Sequence, residues 1–396
     1  MVIMFFLIFE CINIANNRSA LTKYSPDSND TKTQAFIGKI TQYRDNLNKI
    51  SKNMPKKNTL INLHGLSKKL MLQKVISDPD SDNTVYKLKN GQLSFFASIN
   101  DMQPHAESYK KFCEAVDPYT GTILYVQAPY KINCAQNTFP YTLPDYANAN
   151  ADSFISSINA NSLNHLDLRK QISDNYTSEQ YKTLFYNGDH HWKIETALWA
   201  SEYIIEKLGE LNPDLKRNIY SPNDFNFTVH PKKFKGSLTD RVGTFYMPSD
   251  DFTLIVPNFE TNITIQRTIA DGSFTKVERT GPFETSVIDS NLFFNTDSGY
   301  SAYGQASLLY TVTNNDTSSK GRIMLLGDSY SRPVMAFLSL YYKEILHIDS
   351  KYFKEGSKNP YERAIDEEYG SFDAIIVLFY PPSLSIDGFF DFFGND

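Results

Sequence analysis

The sequence predicts an α/β fold: a doubly wound parallel sheet flanked by helices, with an antiparallel β insertion. Three observations predict it. Residues 322–326 (RIMLL), 345–348 and 374–379 (AIIVLF) are near-continuous apolar runs separated by helix-like segments. That is the pattern of parallel strands covered on both faces. Residues 193–208 repeat Ile194, Ala197, Leu198, Ile204, Ile205 and Leu208 at three- and four-residue steps, one apolar stripe of a helix, with Gly209 placed to stop it. From about 218 to 313 the runs become short and alternating, with Gly, Pro, Asn and Asp between them, as antiparallel strands require.

The elements follow in order. Residues 1–9 (MVIMFFLIF) are apolar without interruption. That is too short for a bilayer, which takes about 20 residues, but of the length of a signal-peptide core. We read residues 1–30 as the remnant of a signal or membrane anchor and a spacer, and 31–396 as one α/β domain with the β insertion at about 218–313. The expected location is therefore exported, in the cell envelope or outside the cell, with the N-terminus as a candidate anchor. A polar stretch holds one helix at 33–50. Residues 85–98 form a hairpin around Asn90-Gly91. A helix follows at 105–116, a buried strand at 122–128, a helix at 153–160, a strand at 163–168 and then another helix. After the insertion come the strand 322–326, a turn, a helix at 333–342, the strand 345–348, a polar helix at 360–368 and the strand 374–379.

Composition narrows the function. With 39 Lys and Arg against 45 Asp and Glu, the chain lacks the basic excess of a nucleic-acid binder, so no nucleic-acid partner is expected. Cys11, Cys113 and Cys134 have no metal-ligand spacing. Cys113 and Cys134 form a disulfide or remain two thiols; the sequence leaves both open.

Two segments can carry chemistry. Ser329 lies where a buried strand turns into a helix, within Gly327-Asp328-Ser329-Tyr330-Ser331. Such a turn exposes a side chain at the carboxyl end of a parallel sheet, where ligands bind, and the free N–H groups of the helix start suit a developing oxyanion. A capping role for Asp328, Ser329 or Ser331 is the alternative. The second segment is Asp189-His190-His191-Trp192. A nucleophilic serine needs an imidazole as base and a carboxylate to orient it, and Asp189 and His191 are two residues apart. His190 is a second candidate base or a supporting partner, and Trp192 either lines the site or packs in the core. Asp189, His190 and His191 are also metal-capable residues, but they lie too close in sequence to converge easily on one ion. No metal and no cofactor is expected.

The ordered pair of motifs resembles the SGNH-hydrolase-like proteins of the alginate O-acetyltransferase (AlgX/AlgJ-like) group, in the branch spelled DHHW. In that group an Asp-x-His-Trp motif precedes Gly-x-Ser-Tyr-Ser; here Asp189, His191 and Trp192 match the first, and Gly327, Ser329, Tyr330 and Ser331 the second. Pro129-Tyr130-Lys131 and Asp349 are weaker echoes, and the resemblance spans roughly residues 60–396. It implies an SGNH-like fold with Ser329 as nucleophile, His191 as general base and acid, and Asp189 orienting His191. Tyr330, Ser331, Arg332, Trp192 and His190 are implied as support for substrate or oxyanion. The glycine and asparagine that complete the oxyanion hole of ordinary SGNH enzymes have no counterpart in the spelling.

The expected function is serine-dependent acyl transfer, as O-acetyltransferase or acetylesterase, on O-acetyl groups of a cell-surface or extracellular polysaccharide. A membrane acyl-transfer protein supplying acetyl groups is the expected partner. Arg332 is a candidate contact for an anionic glycan; Lys232, Lys233, Lys235 and Arg241 read as a solvated loop. The rival readings are a catalytically silent glycan-binding scaffold on the same fold, and a metal-dependent hydrolase using His190 and His191.

Overall fold

The computed structural model describes residues 57–76, 84–133, 137–269, 275–295, 299–353, 358–367, 370–386 and 388–394. The apolar N-terminal run, the helix expected at 33–50, Cys11 and Cys134 lie outside them. Cys113 is a free thiol, buried beside Tyr109 and pushed up to about 12 chiefly by that burial.

The strands and helices run in chain order as follows. Helix α1 (Lys57–Leu70) precedes β1 (Val75–Ile76), β2 (Val85–Lys87), β3 (Leu93–Phe95) and α2 (Gln103–Val116). Then come β4 (Ile123–Gln127), α3 (Tyr146–Ala160), β5 (His165–Asp167), α4 (Leu168–Asn175), α5 (Ser178–Thr183) and α6 (Ile194–Leu211). The middle of the chain gives β6 (Phe225–Phe234), α7 (Ser237–Val242), β7 (Asp250–Pro257), β8 (Ile263–Thr268), β9 (Lys276–Gly281), α8 (Phe283–Ser286), α9 (Ser290–Asn295) and β10 (Leu309–Asn314). The last stretch holds β11 (Arg322–Gly327), α10 (Ser331–Leu338), β12 (Glu344–Asp349), α11 (Pro360–Ala364) and β13 (Ala374–Phe379).

The chain divides into two compact units. The smaller joins the described residues up to Gln73 with Thr239–Pro248. There Asn62 Oδ1 accepts the Thr244 N–H at 2.7 Å, and Gly65 lies so close to the Val242 carbonyl that a Cβ would collide with it. The larger unit carries an eight-stranded sheet in the order β5-β4-β13-β11-β12-β10-β8-β9. The pairs β5·β4, β4·β13, β13·β11 and β11·β12 are parallel, and the last three pairs are antiparallel.

The expected doubly wound α/β fold is what this sheet forms. Period-two alternation sends Ile323 and Leu325 of β11 into one buried cluster with α6 and α10, and Met324 and Leu326 into another with α2 and α3. Each such aliphatic side chain contributes roughly 1.5–3 kcal/mol by leaving water. β13 is buried at all six positions, hence its unbroken apolar spelling.

The β-rich stretch divides in two. β6 and β7 form a two-stranded antiparallel sheet of their own, whereas β8, β9 and β10 extend the edge of the main sheet beyond β12. Several boundaries differ from the sequence reading: the helix expected at 333–342 is Ser331–Leu338, the one expected at 360–368 is Pro360–Ala364, and two others differ for a visible reason. α6 runs through Gly209 to Leu211, so the glycine does not stop the helix; it sits where a Cβ would crowd Lys216 Cα at 3.1 Å. α3 starts at Tyr146 rather than 153, capped by Asp145. Its Asn-rich first turns read as loop, yet buried Asn150 has its amide satisfied by Ser98 O and Ser385 Oγ, each at 3.0 Å. Among the described residues, no helix is long and apolar enough to cross a membrane.

Candidate active site

The turn after β11 is shaped by close approach. At Gly327 a Cβ would lie 2.5 Å from the Leu378 carbonyl of neighbouring β13 and 2.8 Å from the Ser331 side chain. The next residue, Asp328, is buried and clamps the turn: Oδ1 accepts the Tyr330 N–H at 2.8 Å, and Oδ2 accepts the Tyr380 N–H at 3.0 Å and the Ser383 hydroxyl at 2.7 Å. Burial pushes its carboxyl up to about 7 against these hydrogen bonds. Ser329 is left half-buried at the turn, and its own N–H meets no acceptor among the described residues.

Asp189, His190 and His191 lie in a tight loop that Trp192 closes. A bridge between Phe185 and Trp192 and the Lys193 N–H bond to Leu184 O (2.8 Å) close its base. Asp250 accepts the Gly188 N–H at 2.9 Å and the Asn187 amide at 2.6 Å, fixing the approach to Asp189. From the other side, the Ser237 N–H donates to Asp189 Oδ2 at 2.6 Å and the Leu238 N–H to Gly188 O at 3.1 Å. Gly236 (φ 73°) makes this possible, since a Cβ there would stand 2.5 Å from Gly188 O.

These two segments meet. His191 Nδ1 lies 2.5 Å from Asp189 Oδ1, and His191 Nε2 lies 2.7 Å from Ser329 Oγ. Asp189 accepts at Nδ1, so that nitrogen carries the proton and Nε2 offers its lone pair to the serine hydroxyl. Burial alone would raise the Asp189 carboxyl, but His190, His191 and the Ser237 amide hold it well below the usual range, so it is ionised. The His191 ring stacks on Tyr300 at 4.2 Å; the Tyr300 hydroxyl in turn donates to Ser329 O (3.0 Å) and accepts from Trp192 Nε1 (3.1 Å).

The other residues singled out in the sequence fall into two groups. Tyr330, Trp192 and Ser331 are fully buried and act from behind. Tyr330 donates to His190 O at 2.6 Å and stacks on Tyr380 at 4.4 Å, while Ser331 Oγ contacts His347 Nε2 at 2.7 Å. His190 is half-buried at the rim, 3.3 Å from Ser237 Oγ and edge-on to Phe95. Arg332 pairs with Asp349 at 2.6 Å. Lys232 and Lys233 are exposed, Lys232 pairing with Asp251 at 3.3 Å. Sequence reasoning gave no signal for Tyr300, Ser237 or Asp250. It noted Asp328 only as a cap.

Among the described residues the one cluster able to hold a metal is Asp189, His190 and His191, whose ligand atoms lie within 4.8 Å of one another. Both His191 nitrogens are already engaged by Asp189 and Ser329, so an ion there would have to displace one of them.

No protein-family model matches the chain, and no curated protein matches its sequence. Comparison with solved structures does find likenesses. PatB1 of Bacillus cereus with a sulfonyl adduct superposes with a TM-score of 0.63 at 17% identity, over 79% of this chain and 99% of that one. A DHHW family protein from Eubacterium siraeum gives a TM-score of 0.55 at 15% identity, over 81% of this chain and 98% of that one. The fold is shared with both.

Proposed function

We propose that the chain is an exported serine enzyme that transfers O-acetyl groups of a cell-surface or extracellular polysaccharide, as an O-acetyltransferase or an acetylesterase. The observation that carries this reading is His191 bridging Asp189 and Ser329 at hydrogen-bond distance on both nitrogens. Two likenesses support it. The family name of the Eubacterium siraeum protein spells residues 189–192 of this chain. The Bacillus cereus structure carries a sulfonyl adduct, and sulfonylating reagents mark activated nucleophiles. The apolar run at residues 1–9 supports a site of action at or beyond a membrane, where a membrane acyl-transfer protein would supply the acetyl groups.

The chemistry follows from the geometry. Ser329 Oγ attacks the acetyl carbonyl carbon while its proton passes to His191 Nε2. The developing oxyanion is met by the unengaged Ser329 N–H. Collapse releases the donor alcohol, which takes the proton from His191 and leaves acetyl-Ser329. A sugar hydroxyl or a water, deprotonated by the same imidazole, then attacks the ester and regenerates Ser329. Asp189 stays ionised and stabilises the imidazolium without taking its proton.

The test is hydrolysis of an activated phenyl acetate, with mass spectrometry of the trapped acetyl-enzyme. Acetylation at Ser329 is expected, and Ser329→Ala and His191→Ala should each lose about 10³-fold or more in turnover. An unmutated protein that is inert, forms no acetyl-serine and still binds glycan would replace this reading with the scaffold.

A further inference from the structure

Lys131 is a buried cation beside the site that the acyl-transfer chemistry does not use. It has no solvent exposure. Its Nζ spends its three protons on three backbone carbonyls: Leu93 O at 2.8 Å, Tyr186 O at 2.7 Å, and Asp189 O in a short contact. Two of these acceptors belong to the loop that carries the Asp189 carboxylate, and one is the carbonyl of Asp189 itself. The hairpin partner is locked reciprocally, since the Leu93 N–H donates to Asn187 O at 2.7 Å. A buried ammonium is costly unless every proton is satisfied, and here each is satisfied by the loop or by the β3 residue beside it. Asp189 and Asp250 are the carboxylates that face it; burial nonetheless pulls Lys131 down to about 7.

We infer that Lys131 is a positioning residue for the triad: its ammonium pins the Asp189 backbone so that the carboxylate meets His191 Nδ1 while His191 Nε2 reaches Ser329. The inference rests on the acyl-transfer reading of those three residues. The physical need is plain. Asp189 sits in a tight loop, and its carboxylate is held on one oxygen by His191 and on the other by the Ser237 amide. The His191 N–H also donates to Asp189 Oδ1 at 2.9 Å, and the Leu238 N–H and Asp250 hold Gly188 on the preceding side; the Asp189 carbonyl itself is held by Lys131. Without Lys131, Tyr186 O and Asp189 O would be buried without this donor, and the loop would shift to recover hydration. A displacement of about 1 Å at such a site costs on the order of 10²-fold in rate.

The experiment uses the full chain and phenylmethanesulfonyl fluoride, a probe that needs only an activated serine. Ser329 labelling is followed by mass spectrometry, and the proton shared by Asp189 and His191 by NMR. In Lys131→Met, with native circular dichroism, labelling should slow about 10- to 100-fold and the downfield Nδ1–H signal should be lost or broadened. Should Lys131→Met not fold, Lys131→Gln, which keeps two donors, should show the same two changes more weakly. Labelling and the downfield signal both unchanged in a folded variant would overturn the inference while leaving the triad intact. An unmutated protein that is never labelled at Ser329 would remove the triad reading, and this inference with it.

Discussion

Ser329 and Ser331, two residues apart in the turn after β11, each meet a histidine, and one of these two pairs has the arrangement that the proposed acyl transfer needs. Ser329 meets His191 at 2.7 Å; two residues on, Ser331 meets His347 at the same 2.7 Å. Distance therefore does not distinguish them. Protonation does. Asp189 accepts from His191 Nδ1, leaving Nε2 as a bare acceptor for the Ser329 proton. Ser331 spends its proton on Asp328 O at 2.6 Å, so His347 must donate from Nε2, and its buried Nδ1 has no partner. The tautomers are opposite. The first pair is half-buried at the end of the sheet; the second is at zero exposure. The second pair is a brace that stiffens the turn presenting the first. A base needs a carboxylate to fix its tautomer and a route to solvent or substrate, and only His191 has both.

The sharpest way to break this contrast is Asp189→Asn. It keeps the shape but favours the wrong His191 tautomer, turning the first pair into something like the second. Turnover of an acetyl ester should fall by about 10⁴-fold, with circular dichroism unchanged. A loss of less than about tenfold would mean that the carboxylate is not what separates the two pairs.

Ser331→Ala attacks the brace instead and should move stability rather than chemistry. It strips His347 Nε2 of its acceptor, while Asp328 O keeps the Ser331 N–H at 3.0 Å. Urea unfolding should show a loss of about 1–3 kcal/mol, the cost of a buried polar group left unmade. The turnover number should change far less than in Asp189→Asn. A collapse of turnover with stability intact would give Ser331 a direct role and end the distinction drawn here.

What the sequence made legible follows a physical line. The 189–192 and 327–331 segments could be read because each is contiguous, and the sheet strands because burial on both faces leaves an unbroken apolar spelling. The contacts that complete the site could not, because they are made by backbone atoms or arrive from distant loops. Ser237 acts through its N–H, which any residue but proline has; Tyr300 is one of 25 tyrosines; His347 is spelled like any interior strand position. Asn150 shows the same limit for the fold: an asparagine looks like loop until its buried partners on Ser98 and Ser385 are known.

The smallest predicted effect tests the electrostatic half of the contrast. Burial pushes His347 down to about 4, with Asp349 opposing and Arg332 reinforcing the shift. In the unfolded chain an imidazole titrates near 6.5. Between these values the unfolded chain takes up a proton that the native state refuses, so His347 costs stability as pH falls from about 6.5 to about 4. Asp328 acts in the opposite sense. Its native carboxyl, raised to about 7, holds a proton that the unfolded chain has lost, so it adds stability as pH falls through the same window. The two contributions oppose each other in this window, so the profile of the unmutated protein does not isolate either. His347→Gln separates the two, because glutamine keeps an N–H for Ser331 and does not titrate. The stability of the unmutated protein relative to this variant should drop by about 2 kcal/mol between pH 7 and about 4.5. Parallel profiles would mean that His347 titrates alike folded and unfolded, and that burial does not set the brace apart.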